Sequence, residues 1–353
     1  MNASVLLKRP GAVATIENGE HTGTTAWHYG DPLGEQRAAD TGGAIFDLSD
    51  RDLITVTGGE RLSWLHQITS QHLLQLPAHT GTELMVLSPT GRIEHHAGVY
   101  DDGTTTWLDC EPGAGEALLR FLHMMKFFTE VDIELRTDWA MLTVTQASLD
   151  LAQPHISEVP PAKYVAADVP SIPTSSYPGG PHPDGTPGWR RRTDRFGKAT
   201  VDLLVPRQDL DATVDSLGLP LAGTWAHDAL RVANQAPRVG IDTDHKTIPH
   251  EVPALLVRAV HIDKGCYRGQ ETVARVHNLG QAPRLLVSLH LDGTDEHPPQ
   301  PDTEITSGER TVGRLGTAVQ HYEEGQIALA LLKRKIASAP ETKLTVGSQA
   351  AQQ

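Results

Sequence analysis

Lys264-Gly265-Cys266-Tyr267-Arg268-Gly269-Gln270-Glu271 is the stretch on which the reading of this chain turns. Gly265 and Gly269 permit backbone angles closed to other residues, so they bracket a tight turn. Between them lies a single thiol, with Lys264 on one side and Arg268 on the other. Neighbouring cations favour a thiolate. The residues from Gln270 to His277 read as a helix that Asn278-Leu279-Gly280 ends. Its N-terminal dipole, close to Cys266, also favours an anion, and Lys264, Arg268 and Arg275 are candidates to contact a carboxylate or phosphate. Residue type alone sends a free cysteine to the core, but the cationic, glycine-bracketed setting argues for a reactive one. Cys110, after the strand-like Trp107-Leu108-Asp109, keeps the core reading.

Outward from this segment the chain alternates hairpins with amphipathic helices. Residues 1–40, rich in Gly, Thr and charge, read as an irregular lead-in. Leu53-Ile54-Thr55-Val56-Thr57 is strand-like, and Leu62, Leu65 and Ile68 recur at helical spacing. Leu84-Met85-Val86-Leu87, the turn Ser88-Pro89-Thr90-Gly91 and the return from Arg92 to Tyr100 make a hairpin, with Thr104–Asp109 as a third strand. Leu118, Leu119, Leu122 and Met125 share one helix face. Strands follow at Val131–Leu135, Trp139–Thr145 and Ala199–Val205, and helices near Asp209–Leu217 and Thr224–Ala233. Residues 151–190 hold nine prolines and read as a linker or flap. From Arg284 onward, short strand-like runs with glycine turns point to a small β-barrel. The pattern is α+β rather than a doubly wound parallel sheet.

The 353 residues carry 30 Lys+Arg against 44 Asp+Glu, a formal net charge of −14. That field repels a long phosphate track, which disfavours a nucleic-acid partner. Two cysteines make no disulfide framework, and they point to a reducing, cytoplasmic setting. No apolar run is long enough for a membrane helix, and Met1 to Glu20 lacks a signal-peptide pattern.

Several chemistries fail on spacing. His250-Glu251-Val252-Pro253-Ala254 lacks the second histidine of a zinc-protease helix, and Gly197-Lys198-Ala199-Thr200 lacks the upstream glycine of a phosphate loop. Gly113-Ala114-Gly115 lacks the third glycine of a dinucleotide fingerprint, and two thiols cannot hold an iron–sulfur cluster by themselves. No metal site is expected.

The signature Lys264-Gly265-Cys266-Tyr267, followed by Gly269-Gln270-Glu271, resembles that of the YgfZ family of folate-binding proteins. These are related to the T-protein of the glycine cleavage system, a tetrahydrofolate-dependent aminomethyltransferase. Ala44-Ile45-Phe46-Asp47-Leu48-Ser49 is similar to the opening of the T-protein fold, and Asp228-Ala229-Leu230-Arg231-Val232 to the helix preceding the signature. The resemblance implies a three-domain ring around a central channel with a C-terminal β-barrel. It also implies tetrahydrofolate as ligand, a role in making or maintaining iron–sulfur enzymes, and Cys266 as the functional thiol, with Lys264 and Tyr267 beside it as catalytic candidates. Two departures weaken the aminomethyltransferase activity itself. Glu94-His95 stands where the T-protein has an Asp pair, and Ala233 stands where it has the glutamate that holds the pterin.

The expected units are 1–150 as a folate-binding α+β region, 151–198 as linker or flap, 199–282 as a second α+β region with the motif, and 283–353 as the barrel. Trp64, Glu94 and Asp109 are candidate pterin-lining residues. Arg231 and Arg275 are candidates for the anionic folate tail, ahead of Arg190-Arg191-Arg192, which reads as a solvated strand edge. The leading reading is a folate-dependent protein serving iron–sulfur clients. An aminomethyl or methyl transferase and a non-catalytic folate sensor or scaffold are the alternatives.

Overall fold

The computed structural model describes residues 3–17, 20–145, 150–157, 173–295 and 297–353. Its main element is a twelve-stranded sheet. The hairpin Thr80–Leu87 and Ile93–Asp101 lies in the middle, joined on one side by Thr105–Cys110, Asp52–Thr57 and Asp132–Arg136. On the other side follow Ser175–Gly180, Trp189–Arg192, Thr200–Pro206, Trp139–Thr145 and Ile45–Asp47. Leu221–Ala222 pairs with Ile45–Asp47 in parallel. The fold is therefore mixed, with mostly antiparallel pairing, as the hairpin signals required.

Three sets of apolar residues hold it together. Leu65, Leu118 and Leu122 of the helices Arg61–Ile68 and Gly115–Lys126 cover Ile54, Val56 and Leu84 of the sheet. Leu210 and Val214 of the helix Leu210–Leu217 cover Ile45, Leu142 and Val205. Each such side chain contributes about 1.5–3 kcal/mol by leaving water. The third set fills a closed six-strand barrel that begins with Arg284–Leu291 and buries Leu289, Ile305, Leu315 and Leu344. The helix Thr224–Ala233 joins barrel to sheet: Ala226 and Leu230 pack on Phe46, while Ala229 and Val232 pack on Val319 and Leu329.

The structure corrects two expectations. Residues 1–40 are not irregular: Val13–Glu17 and Glu20–His28 form a hairpin, and Pro32–Thr41 is a helix capped by the Asp31 carboxylate on Gly34 N–H. The proline-rich stretch supplies three strands of the main sheet: Ser175–Gly180, Trp189–Arg192 and the short His155–Ile156, which pairs with Ser175–Gly180 off the main strand order; Pro178 pairs only with Thr80, at the short junction to the hairpin. Residues 158–172 of that stretch lie outside the described residues. Among the described residues no helix is long and apolar enough to cross a membrane.

Candidate functional site

The loop that leads into the motif begins where the helix Pro253–Ala259 ends. His261 N–H donates to Ser70 O at 2.9 Å, and Ser70 Oγ donates to Ala259 O at 2.6 Å, which ties the loop to the end of the helix Arg61–Ile68. Lys264 completes the tie. Its Nζ donates to the carbonyls of Thr69 (2.6 Å), Gln71 (2.9 Å) and His66. His66 belongs to the last turn of that helix, whose carbonyls lack intrahelical partners, so an ammonium distant in sequence serves as their cap. Burial pulls the Lys264 pKa down to about 7. The three carbonyls act the other way, because each accepts a bond from the charged form.

Tyr267 lies under the loop, packed with Met85, Leu87, Val252 and Leu256. Burial raises the pKa of its phenol, whose oxygen has no partner among the described residues. The Lys264 Nζ stands 5.1 Å from the centre of the Tyr267 ring, a cation–π distance. Gln270 Oε1 accepts from Tyr267 N–H at 3.0 Å. Gly269 has φ +84°, and a Cβ there would meet Ser88 O at 2.5 Å. The close approach to the hairpin turn thus needs glycine at this position. Helix Gln270–Leu279 then starts, with Glu271 in its first turn.

Cys266 is exposed and Cys110 buried, each as its sequence setting indicated. The cationic niche around Cys266 takes a different form from the expected one. Lys264 points into the protein, and Arg268 is held by Glu94 at 2.5 Å, its guanidinium 5.8 Å from the Phe121 ring. Arg275 is exposed on the outer side of its helix.

A polar cleft opens on the other side of helix Pro253–Ala259, lined by Arg258 and Leu255 of that helix and by Asp50, Glu83, His96 and Asp228. Arg231 lines it too, but is buried and bonded to Asp228 (2.5 Å) and Asp242 (2.8 Å). Burial alone would raise the pKa of Glu83, yet the bond from His96 and the charges of Arg258 and Arg195 hold it well below the carboxylate range. Asp50 is pushed up to about 6 by burial and by Asp47. His227, on the cleft wall, is pushed down to about 3 by burial, and its buried Nε2 has no partner among the described residues.

The other candidates do not gather at this cleft. Asp109 lies fully buried behind it, between Arg51 (3.0 Å) and Arg191 (2.6 Å). Trp64 sits in the hydrophobic core and donates Nε1–H to Met125 O at 3.0 Å. Glu94 lines a separate, more open hollow with Ser88 and Thr243. Arg191 is no solvated edge: it is fully buried and also bonds Asp202, while Arg190 and Arg192 pair with Asp150 and Asp194. Sequence reasoning missed Glu83, His96, Arg195 and Arg258. Glu83 had a signal, as a carboxylate opening the apolar run Leu84-Met85-Val86-Leu87; the others had none.

Residues 284–352 match the family described as CAF17, C-terminal beta-barrel domain. The solved structure of glycine cleavage system aminomethyltransferase T from Bartonella henselae superposes with a TM-score of 0.77 over 98% of this chain and 94% of that one, at 15% identity. The fold class is thus that of aminomethyltransferase T, with the closed barrel at its C-terminal end. Two relatives narrow it. The tRNA-modifying protein YgfZ of Colwellia psychrerythraea is 25% identical over 79% of this chain and 81% of its own length. The mitochondrial iron-sulfur cluster assembly factor IBA57 of Mus musculus is 25% identical over 87% and 82%. The chain is a homologue of the YgfZ and IBA57 proteins, and its residues 284–352 form a barrel domain of the CAF17 type.

Proposed function

We propose that this protein binds tetrahydrofolate in the cleft beside helix Pro253–Ala259 and serves the assembly or maintenance of iron–sulfur enzymes through the Cys266 thiol. The observation that carries the reading is an exposed thiol on a loop tied down at Ser70 and Lys264, one helix away from a polar cleft, within a T-protein-like fold. The cleft suits a pterin. The ring edge needs neighbouring donors and acceptors; the orphaned His227 Nε2 serves as either, according to its tautomer, and the Asp50 carboxylate accepts. Bound folate would supply one-carbon chemistry. The chain's own contribution is to orient the ring, exclude water behind Leu255, and keep Cys266 open to a client protein. A thiolate is nucleophilic near neutral pH, and a reducing compartment such as the cytoplasm keeps it free.

The likeness to IBA57, named as an iron-sulfur cluster assembly factor, supports iron–sulfur proteins as clients. An aminomethyl or methyl transferase has less support, because its candidate base, Glu94, is spent on Arg268 and lines the other hollow. A folate sensor or scaffold would bind the ligand and tolerate loss of the thiol. Calorimetric titration of tetrahydrofolate into wild type and Cys266→Ala tests the ligand. Equal heats from both are expected, because Cys266 does not line the cleft. No heat from wild type would remove folate from the account.

A further inference from the structure

Five arginines border the cleft: Arg51, Arg195, Arg231, Arg238 and Arg258. Three are committed to carboxylates at short range, Arg51 to Glu111 at 2.8 Å, Arg238 to Glu111 at 2.6 Å and Arg231 to Asp228 at 2.5 Å. Arg195 reaches Asp202 only at 3.5 Å, and that carboxylate is already shared with Arg191. The Arg258 guanidinium makes no hydrogen bond or ion pair among the described residues.

Its backbone is nevertheless fixed. The Arg258 carbonyl accepts from Gln71 Nε2 (2.8 Å), Thr174 Oγ1 (3.1 Å) and Ser175 Oγ (2.7 Å). Leu255, Leu256 and Ala259 on the same helix are buried. The anion whose charge Arg258 and Arg195 both feel is Glu83, and Glu83 is engaged by His96 at 2.9 Å and by Tyr177 Oη–H at 2.5 Å. The cleft therefore presents, on an anchored backbone, a half-buried guanidinium that pairs with no protein carboxylate among the described residues. Guanidinium groups bind carboxylates through paired N–H donors in a fixed plane.

We propose that Arg258, assisted by Arg195, is the carboxylate subsite that takes the glutamate tail of the folate. The ring then faces His227 and Asp50. This assignment rests on the folate reading above. It puts the tail on residues other than Arg231, which is already neutralised, and Arg275, which is outside the cleft.

The test is calorimetric titration with two ligands, 5-formyltetrahydrofolate and the same reduced ring lacking the glutamate, into wild type, Arg258→Gln and Arg195→Gln. Arg258→Gln should weaken the glutamate-bearing ligand about ten- to a hundredfold, as expected for a lost charge-assisted bond. It should leave the truncated ligand unchanged. Arg195→Gln should show the same pattern more weakly. Equal binding of 5-formyltetrahydrofolate by wild type and Arg258→Gln would overturn the subsite while leaving the folate reading in place. So would an equal loss for both ligands, which would make Arg258 a ring contact or a general structural element. Wild type binding neither ligand would overturn the folate reading and the subsite together.

Discussion

Lys264→Met offers a sharp trial of the claim that the motif lysine is a tether. Methionine keeps the length and apolar stem of the side chain but donates nothing. Three carbonyls, those of His66, Thr69 and Gln71, then lose their donor inside the protein. Each buried acceptor left without a partner costs about 1–3 kcal/mol. Against that stands relief of the desolvation that lowers the ammonium pKa. A net loss of about 2–4 kcal/mol is expected, a large fraction of the stability of an ordinary domain. The loss should depend on pH with a definite sign. The folded pKa of about 7 lies below the ordinary 10.5, so between these values the unfolded chain binds more protons. Wild-type stability therefore gains from this group as pH rises from about 7 toward 10.5, and Lys264→Met lacks that gain. Urea unfolding of both proteins at pH 6, 7, 8 and 9 measures it. A variant within about 0.5 kcal/mol of wild type at every pH, the spread of an ordinary surface change, would refute the tether.

Four further variants test local surroundings. Gly269→Ala should cost at least about 2 kcal/mol by thermal melting, because φ is +84° and the new methyl meets Ser88 O at 2.5 Å. Asp109→Ala should cost about 3–5 kcal/mol, since it strips the buried Arg191 of a partner, whereas Glu94→Gln, at a pair about one-third exposed, should cost no more than about 1 kcal/mol. Asp50→Asn should match wild type near pH 4 and exceed it by about 1–2 kcal/mol at pH 7. The folded pKa of Asp50 is raised to about 6, so wild-type stability from this group is complete below the unfolded value and falls as pH rises through 6. Unfolding curves at the two pH values check the sign.

Where local pattern and tertiary packing agree, the fold was legible. The hairpin around Pro89-Thr90-Gly91, the helix through Leu118 and Leu122, and the barrel strands after Arg284 each carry their own periodicity, and the packed elements Thr80–Leu87, Ile93–Asp101, Gly115–Lys126 and Arg284–Leu291 follow it. The N-terminal hairpin was not legible, because its strand Glu20–His28 is built from Thr, His and Gly rather than alternating apolar residues. Trp189–Arg192 looked like a solvated run of charge. Its middle arginine is buried because Asp109 and Asp202, remote in sequence, converge on it. The thiol and Gly269 stood out for a similar reason of locality, since glycine marks a positive φ directly; Gly265, expected to be the second such position, has an ordinary φ and open space where a Cβ would go. The direction of Lys264, and the gathering of Arg51, Arg195 and Arg258 around one cleft, depend on contacts that no local pattern encodes.

The central claim joins a folate cleft to an exposed thiol that acts on iron–sulfur clients. The most direct measurement is the activity of iron–sulfur enzymes in cells whose sole copy of this protein is Cys266→Ala, normalised to the level of folded protein. The account predicts a marked loss with the variant present at wild-type abundance. Full enzyme activity in those cells would contradict it and leave a folate-binding scaffold in its place.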